Sequence, residues 1–268
     1  MLPTFLAQLA GGTALAAAAL PLRRVSWPYL RLISIVCLAI VVLAGAVVLR
    51  GGLGTSSQAP QLITLATAAA AGVIWLLVNA AQRRRVNDLQ RTFAIALGIA
   101  ALATTVLLIG FRNRGNGAIG GGAVAGHSWM NAASLVLGAA LLGTVTAGML
   151  LGHRYLTDTG MTIAPLRRLS MVHSGAVAMR AAWLVVAGWP MLAADFVPAG
   201  GATWFWMMVT LRFGVGVVAT AAFAWMIHDC VRRRATQSAT ALFYLSMVFV
   251  YAGELAGQSL MRGEGLPL

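Results

Sequence analysis

Chemically useful side chains are scarce in this chain, and the informative ones fall where they are costly to keep. Arg212 lies about nine residues into the apolar run 203–228, and Glu254 about seven residues from the end of the run 236–260. At 1.5 Å per helical residue, both sit on the order of 10–14 Å from the same end. Antiparallel neighbours bring them to matching depth, so a buried Arg212–Glu254 ion pair is expected. An ionisable group inside a membrane span is expensive unless paired, and marks a functional site by default. Such a pair either clasps two helices in register or borders a quinone pocket and positions protons. Arg180 lies about eleven residues from either end of the run 171–193, with no partner on its own helix. Backbone carbonyls, a ligand oxygen or a wet cavity would satisfy it. Gln258 follows Glu254 by one turn on the same helical face. Arg50, Asp195 and His127 fall near that same end and complete the polar candidates there.

A second constellation is made of histidines. His153, His173 and His228 lie near the ends of consecutive apolar runs, all towards the opposite side from Glu254. Neutral imidazoles at similar depth on neighbouring helices could ligate a haem iron or another metal ion. Beside arginines at helix ends, hydrogen-bonded interfacial histidines are equally expected. His127 cannot join them, because the helix from 127 to 153 is roughly 39 Å long. Cys37 and Cys230 lie at different depths, which disfavours a disulfide, and no CxxC or CxxCH is present. Any iron–sulfur cluster would therefore belong to a partner. Walker, nucleophile-elbow and HExxH motifs are also missing.

The elements that must position these residues follow from composition. The chain is 60% hydrophobic and 9% charged, too little charge to solvate a globular surface of this size. Lipid is the expected solvent. Apolar runs of membrane-crossing length occur near 4–21, 29–49, 61–81, 92–111, 128–151, 171–193, 203–228 and 236–260. The fold class is therefore all-α, a polytopic transmembrane bundle of about eight helices. Alternate connections carry Arg23, Arg24, Arg83, Arg84, Arg85, Arg91, Arg154, Arg167, Arg168, Arg232, Arg233 and Arg234. The others carry little beyond Arg50, Arg112 and Arg114. This is the positive-inside pattern, with both termini extracytoplasmic. It also accounts for the net charge of +13 without a nucleic-acid site.

Arginines follow the first run rather than precede it, as in a first membrane helix and unlike a cleaved signal. The glycine-rich stretch 112–127 separates two four-helix groups, 1–111 and 128–260, of one membrane domain. The segment 152–169 reads as a loop docked at the arginine-rich side, meeting anionic lipid or a partner. Small residues in Gln8-Leu9-Ala10-Gly11-Gly12 and Gly138-Ala139-Ala140 read as close helix packing.

Two stretches carry a resemblance. The first helix, PTFLAQLAGGTALAA, and the last, LSMVFVYAGELAGQ, resemble the corresponding helices of the membrane anchor of bacterial dimethyl sulfoxide reductase. That anchor belongs to a wider polysulfide-reductase-like group of quinone-binding anchors. Arg212, in MVTLRFGVG, matches a family arginine of the seventh helix, and Gly253-Glu254 matches its Gly-Glu of the eighth. The likeness covers about a quarter of the chain. It departs at the second and third helices, where the family's quinol-linked histidine and acid are replaced by LAGAVVLRGG and LITLATAAAAG.

The resemblance implies a multi-pass subunit of the bacterial inner membrane without its own metal centre. Quinol would bind near the outer surface, pass electrons to an iron–sulfur partner and release protons outside. Glu254 and Arg212 would serve that site as proton acceptor and charge setter, with Arg50, His127 and Gln258 nearby. The competing expectations are a haem b cytochrome subunit using His153, His173 and His228, and a non-redox structural or assembly subunit.

Overall fold

The computed structural model describes residues 2–21, 24–50, 59–81, 88–115, 128–158, 160–189 and 201–268, and side chains at 59–62, 81, 88–89, 104–115 and 128 lie outside that description. The described residues are all-α. The helices are α1 (Leu2–Ala19), α2 (Trp27–Arg50), α3 (Ala59–Ala81), α4 (Asp88–Gly115), α5 (Ser128–Thr157), α6 (Ala164–Gly188), α7 (Ala202–Arg232) and α8 (Thr236–Gly263). Seven of them are long and apolar enough to cross a membrane, and α4 adds an apolar stretch at Gln90–Ala103. Their outward faces expose Val42, Leu77, Val185, Val218, Trp225 and Val248. A surface so apolar belongs in hydrocarbon, as in a multi-pass membrane protein.

Two helix groups are built around one shared element. α1 packs against α2, α4 and α5, while α3 bridges α2 and α4. α5, α6, α7 and α8 pack in a second ring. α1 is short and mostly apolar, and nearly all of it is buried, including the polar Thr4, Gln8 and Thr13. It can sit so centrally because Gly12 and Gly143 face each other where α1 crosses α5. A Cβ on Gly12 would overlap the Ala139 carbonyl, and one on Gly143 would overlap Gly12 itself. In lipid, where apolar surface gains nothing from leaving the solvent, such close approach supplies the packing energy.

The N-terminal end of α1 lies beside the C-terminal end of α8, through Arg262 Nη2 donating to Thr4 Oγ1 at 2.7 Å and Gln258 donating to Gln8. This end is called the terminal face. The opposite end gathers Arg24, Arg91, Arg154, Arg167, Arg168, Arg232, Arg233 and Arg234 at or near helix ends, and is called the arginine face. Arg91 Nη2 there donates to the Leu20 carbonyl at 3.3 Å, and Arg154 Nε to Ser26 Oγ at 3.3 Å. Arg23, Arg83, Arg84 and Arg85, the glycine-rich connection after α4, Asp195 and His127 lie outside the described residues.

The helices exceed their apolar runs at the arginine face. α5 continues to Thr157 and α6 begins at Ala164, so the expected loop over 152–169 shrinks to 158–163. Pro165 sits in the first turn of α6, where its missing N–H costs nothing. Leu166 and Leu169 are buried there while Arg167 and Arg168 are exposed. Hydropathy sees only the lipid-embedded part of such a helix, and its amphipathic first turns read as loop.

Candidate functional site

That shift in α6 changes the company Arg180 keeps. Arg180 lies eight residues before Gly188, Glu254 nine before Gly263, and Arg212 ten after Ala202. At 1.5 Å per residue these are about 12, 13.5 and 15 Å from the terminal face. All three residues are 0–2% exposed. Arg180 forks onto Glu254, Nε to Oε1 at 3.1 Å and Nη2 to Oε2 at 3.0 Å. Arg212 Nη1 reaches the same Oε1 at 2.9 Å. The expected Arg212–Glu254 pair is therefore present, but as one arm of a three-residue cluster. Arg180 Nη1 also donates to the Ser134 carbonyl at 3.0 Å and to Ser134 Oγ at 2.9 Å. Its Nη2 lies 3.4 Å from the backbone oxygen of Leu268.

Local backbone features make room for this. α7 is wound as a π-helix over Leu211–Ala219, a rare geometry that recurs at functional sites. Gly216 of that stretch lies against Gly253, where any Cβ would collide with the other backbone. The contact draws α7 close enough for Arg212 to reach Glu254. Gly138 leaves space for the carboxylate itself, since a Cβ there would lie 2.5 Å from Glu254 Oε2.

The cluster's side chains are two guanidiniums and one carboxylate, and both carboxylate oxygens are already engaged. Arg180 uses all its nitrogens, whereas among the described residues Arg212 Nε and Nη2 have no partner although Arg212 is fully buried. Burying such donors without an acceptor costs roughly 1–3 kcal/mol, and more for a charged group.

Gln258 lies on the Glu254 side of α8 as expected, and donates to Gln8 Oε1 of α1. Gln8 Nε2 in turn donates to the Leu135 carbonyl at 2.8 Å. Gln8, Ser134 and Arg262 were not anticipated as site residues. A glutamine in an otherwise apolar first helix was the available signal for Gln8; Ser134 offered none. Arg50 ends α2 and is exposed, and among the described residues it makes no hydrogen bond to the cluster.

The histidines do not share one environment. His173 is the tenth residue of α6 rather than its first, and is fully buried. His153 and His228 each lie four residues before the end of their helices and are exposed. The early start of α6 causes this difference in depth. His228 Nδ1 is 3.4 Å from Ser170 Oγ, and His153 Nδ1 is 3.5 Å from Tyr244 Oη. His173 Nδ1 is 3.1 Å from Thr144 Oγ1, and the same hydroxyl lies 2.8 and 3.1 Å from the carbonyls of Ala140 and Leu141. His173 Nε2 has no hydrogen-bond partner among the described residues. Among the described residues no group of three His, Cys, Asp or Glu side chains is gathered as metal ligands.

No protein-family model, curated protein or solved structure matches the chain, so its function rests on this buried geometry.

Proposed function

We propose that the chain is the membrane anchor subunit of a respiratory oxidoreductase, facing the quinone pool beside the Arg180–Glu254–Arg212 cluster. The observation that carries this reading is Arg212, a buried guanidinium inside a π-helix with two nitrogens unpartnered among the described residues. A quinone offers two carbonyl oxygens on a flat apolar ring, which is an acceptor of the right kind for a lipid-embedded donor. The resemblance at Arg212 and Gly253-Glu254 points the same way. Oxidation of one quinol sends two electrons to an iron–sulfur partner and releases two protons. A proton taken by Glu254 would cancel the charge to which both guanidiniums bond, so Arg180 and Arg212 govern when it can accept one.

In this reading the chain sits in a bacterial inner membrane with the arginine face in the cytoplasm, since translocation retains arginine-rich connections. Single cysteines placed at Thr162 and Ala202, in a background without Cys37 and Cys230, test the orientation. An impermeant maleimide added to intact cells should label Ala202→Cys and spare Thr162→Cys; the reverse pattern would invert the topology.

Function is tested by isolation from native membranes in mild detergent. Companion subunits carrying iron–sulfur or molybdenum centres are expected, and a solitary homo-oligomer would sink the proposal. In the assembled complex, Arg212→Leu should lower quinol-driven electron transfer by about 10²-fold, the scale of losing a charged donor to a reacting oxygen. Unchanged turnover would exclude Arg212 from the site.

A second reading is favoured by His173, a buried imidazole held through Nδ1 at Thr144 with Nε2 unpartnered among the described residues, which is what an axial haem ligand needs. Haem would supply one-electron transfer across the bundle. The purified protein should then show a Soret band that His173→Ala removes; a featureless visible spectrum ends that reading.

A further inference from the structure

A cavity of about 500 Å³ opens at the arginine face, where the connection between α1 and α2 meets the one between α5 and α6. Arg24, Ser26, Asp158 and Thr162 supply its polar walls, and Val25 and Met161 its apolar ones. Ser26 immediately precedes α2, Asp158 immediately follows α5, and Thr162 lies two residues before α6. The cavity therefore sits at the helix ends, the level of lipid headgroups around a membrane-spanning bundle. Trp27, the first residue of α2, marks that level as an interfacial anchor, with the Arg31 guanidinium 5.6 Å from its ring centre. Leu156, two residues before Asp158, is 46% exposed, which suits an acyl chain better than water.

Both signs of charge meet in this cavity. Arg154 stands behind the wall, its Nε donating to Ser26 Oγ at 3.3 Å and its Nη2 lying 3.7 Å from Asp158 Oδ2. Asp158 Oδ1 accepts from the Gly160 N–H at 3.3 Å. Both contacts to the carboxylate are long, so it has capacity for a further donor. Arg24 is exposed and makes no ion pair among the described residues. Two guanidiniums against one carboxylate leave one positive charge, which one phosphodiester matches. Ser26 Oγ, already an acceptor, still has its own hydrogen to give to a phosphate oxygen.

We infer that this cavity binds the headgroup of an ethanolamine phospholipid, with the phosphate at Arg24, Ser26 and Thr162 and the ammonium at Asp158. A primary ammonium donates three hydrogen bonds to a carboxylate and its neighbours. A choline head donates none, and a glycerol head brings no charge to Asp158. The bound lipid ties the α1–α2 connection to the α5–α6 connection, and so joins the two helix groups at the arginine face. The inference is independent of the quinone reading, since it uses the opposite end of the bundle.

The test is native mass spectrometry of the delipidated full chain in mild detergent. Phosphatidylethanolamine, phosphatidylcholine and phosphatidylglycerol with the same acyl chains are added in equal amounts. The ethanolamine lipid should be retained about tenfold over the other two, the scale of one charge-assisted hydrogen bond. Arg24→Gln should lower retention of all three lipids about tenfold. Asp158→Asn should bring the ethanolamine lipid down to the choline lipid and leave the choline lipid unchanged. Thr162→Trp should fill the cavity and remove binding of every lipid. That residue gives the fold only its carbonyl, which accepts from Tyr155 Oη, so helical circular dichroism should be unaltered. Arg168→Gln, exposed on the same face but outside the cavity, is the control and should bind as the native chain does. Equal retention of the three lipids by the native chain, or equal binding by Thr162→Trp and Arg168→Gln, would overturn the inference. A preference for phosphatidylglycerol would overturn the pairing of the ammonium with Asp158. Displacement of the lipid by an equal concentration of glycerophosphoethanolamine would overturn the membrane source and make a soluble phosphodiester the ligand.

Discussion

Replacing Glu254 by leucine is expected to destabilise the protein by about 5 kcal/mol, well beyond the loss for Arg212→Leu. Removing one partner of a buried ion pair costs roughly 3–5 kcal/mol because the other charge is left without compensation. Glu254 neutralises two guanidiniums at once, bonded at 2.9–3.1 Å, so its loss leaves Arg180 and Arg212 facing each other in a dry site. Removing Arg212 leaves the Arg180–Glu254 fork intact and relieves two unpartnered donors. Its cost should be about 1–2 kcal/mol, the scale of one charge-assisted hydrogen bond less the relieved penalty. Arg180→Leu should fall between them, since it also frees Ser134. Unfolding in mixed micelles with rising SDS, followed by helical circular dichroism, measures all three. The double variant Arg212→Leu with Glu254→Leu should lose less than the sum of the single losses, as contacting residues do. Equal losses for Glu254→Leu and Arg212→Leu would contradict the cluster.

The second large effect is steric. Gly12→Leu or Gly143→Leu should each cost about 3 kcal/mol, the upper end of the overpacking range. The obstacle is the backbone of Ala139 or Gly12 rather than a side chain that can swing away. α1 would have to back off from α5, which also pulls Gln8 from Gln258 and Thr4 from Arg262. Gly45→Leu and Gly175→Leu are the controls, because a Cβ at either position meets nothing within 4 Å. Those two should be neutral or gain a few tenths of a kcal/mol from better helix propensity. A loss at Gly12 no larger than at Gly45 would mean that α1 and α5 do not cross at these glycines.

The helical ledger was readable in advance because one property decides it. A run of about 20 apolar residues has nowhere to go but hydrocarbon, and every expected run lies within or largely overlaps an observed helix. The Arg212–Glu254 pair was equally legible, since both residues can be counted from helix ends that hydropathy marks well. Arg180 was not. Its depth depends on where α6 begins, and the amphipathic turns from Pro165 to Ser170 hide that start from a hydropathy window. The same error misplaced His173, which was expected at an interface and lies inside the bundle.

By itself the amino-acid order determined how many times the chain can cross, which connections share a side, and which charges lie deep. Those follow from transfer free energies and a fixed rise per residue, both of them local. Only the tertiary structure decided that three helices deliver their charges to one point, that α1 lies at the centre, and that Gly265–Leu268 folds back onto Arg180. These outcomes depend on which helices are neighbours and how closely they approach. In lipid that choice is made by contacts between glycine backbones and by the need to give each buried donor an acceptor. No residue carries either requirement alone.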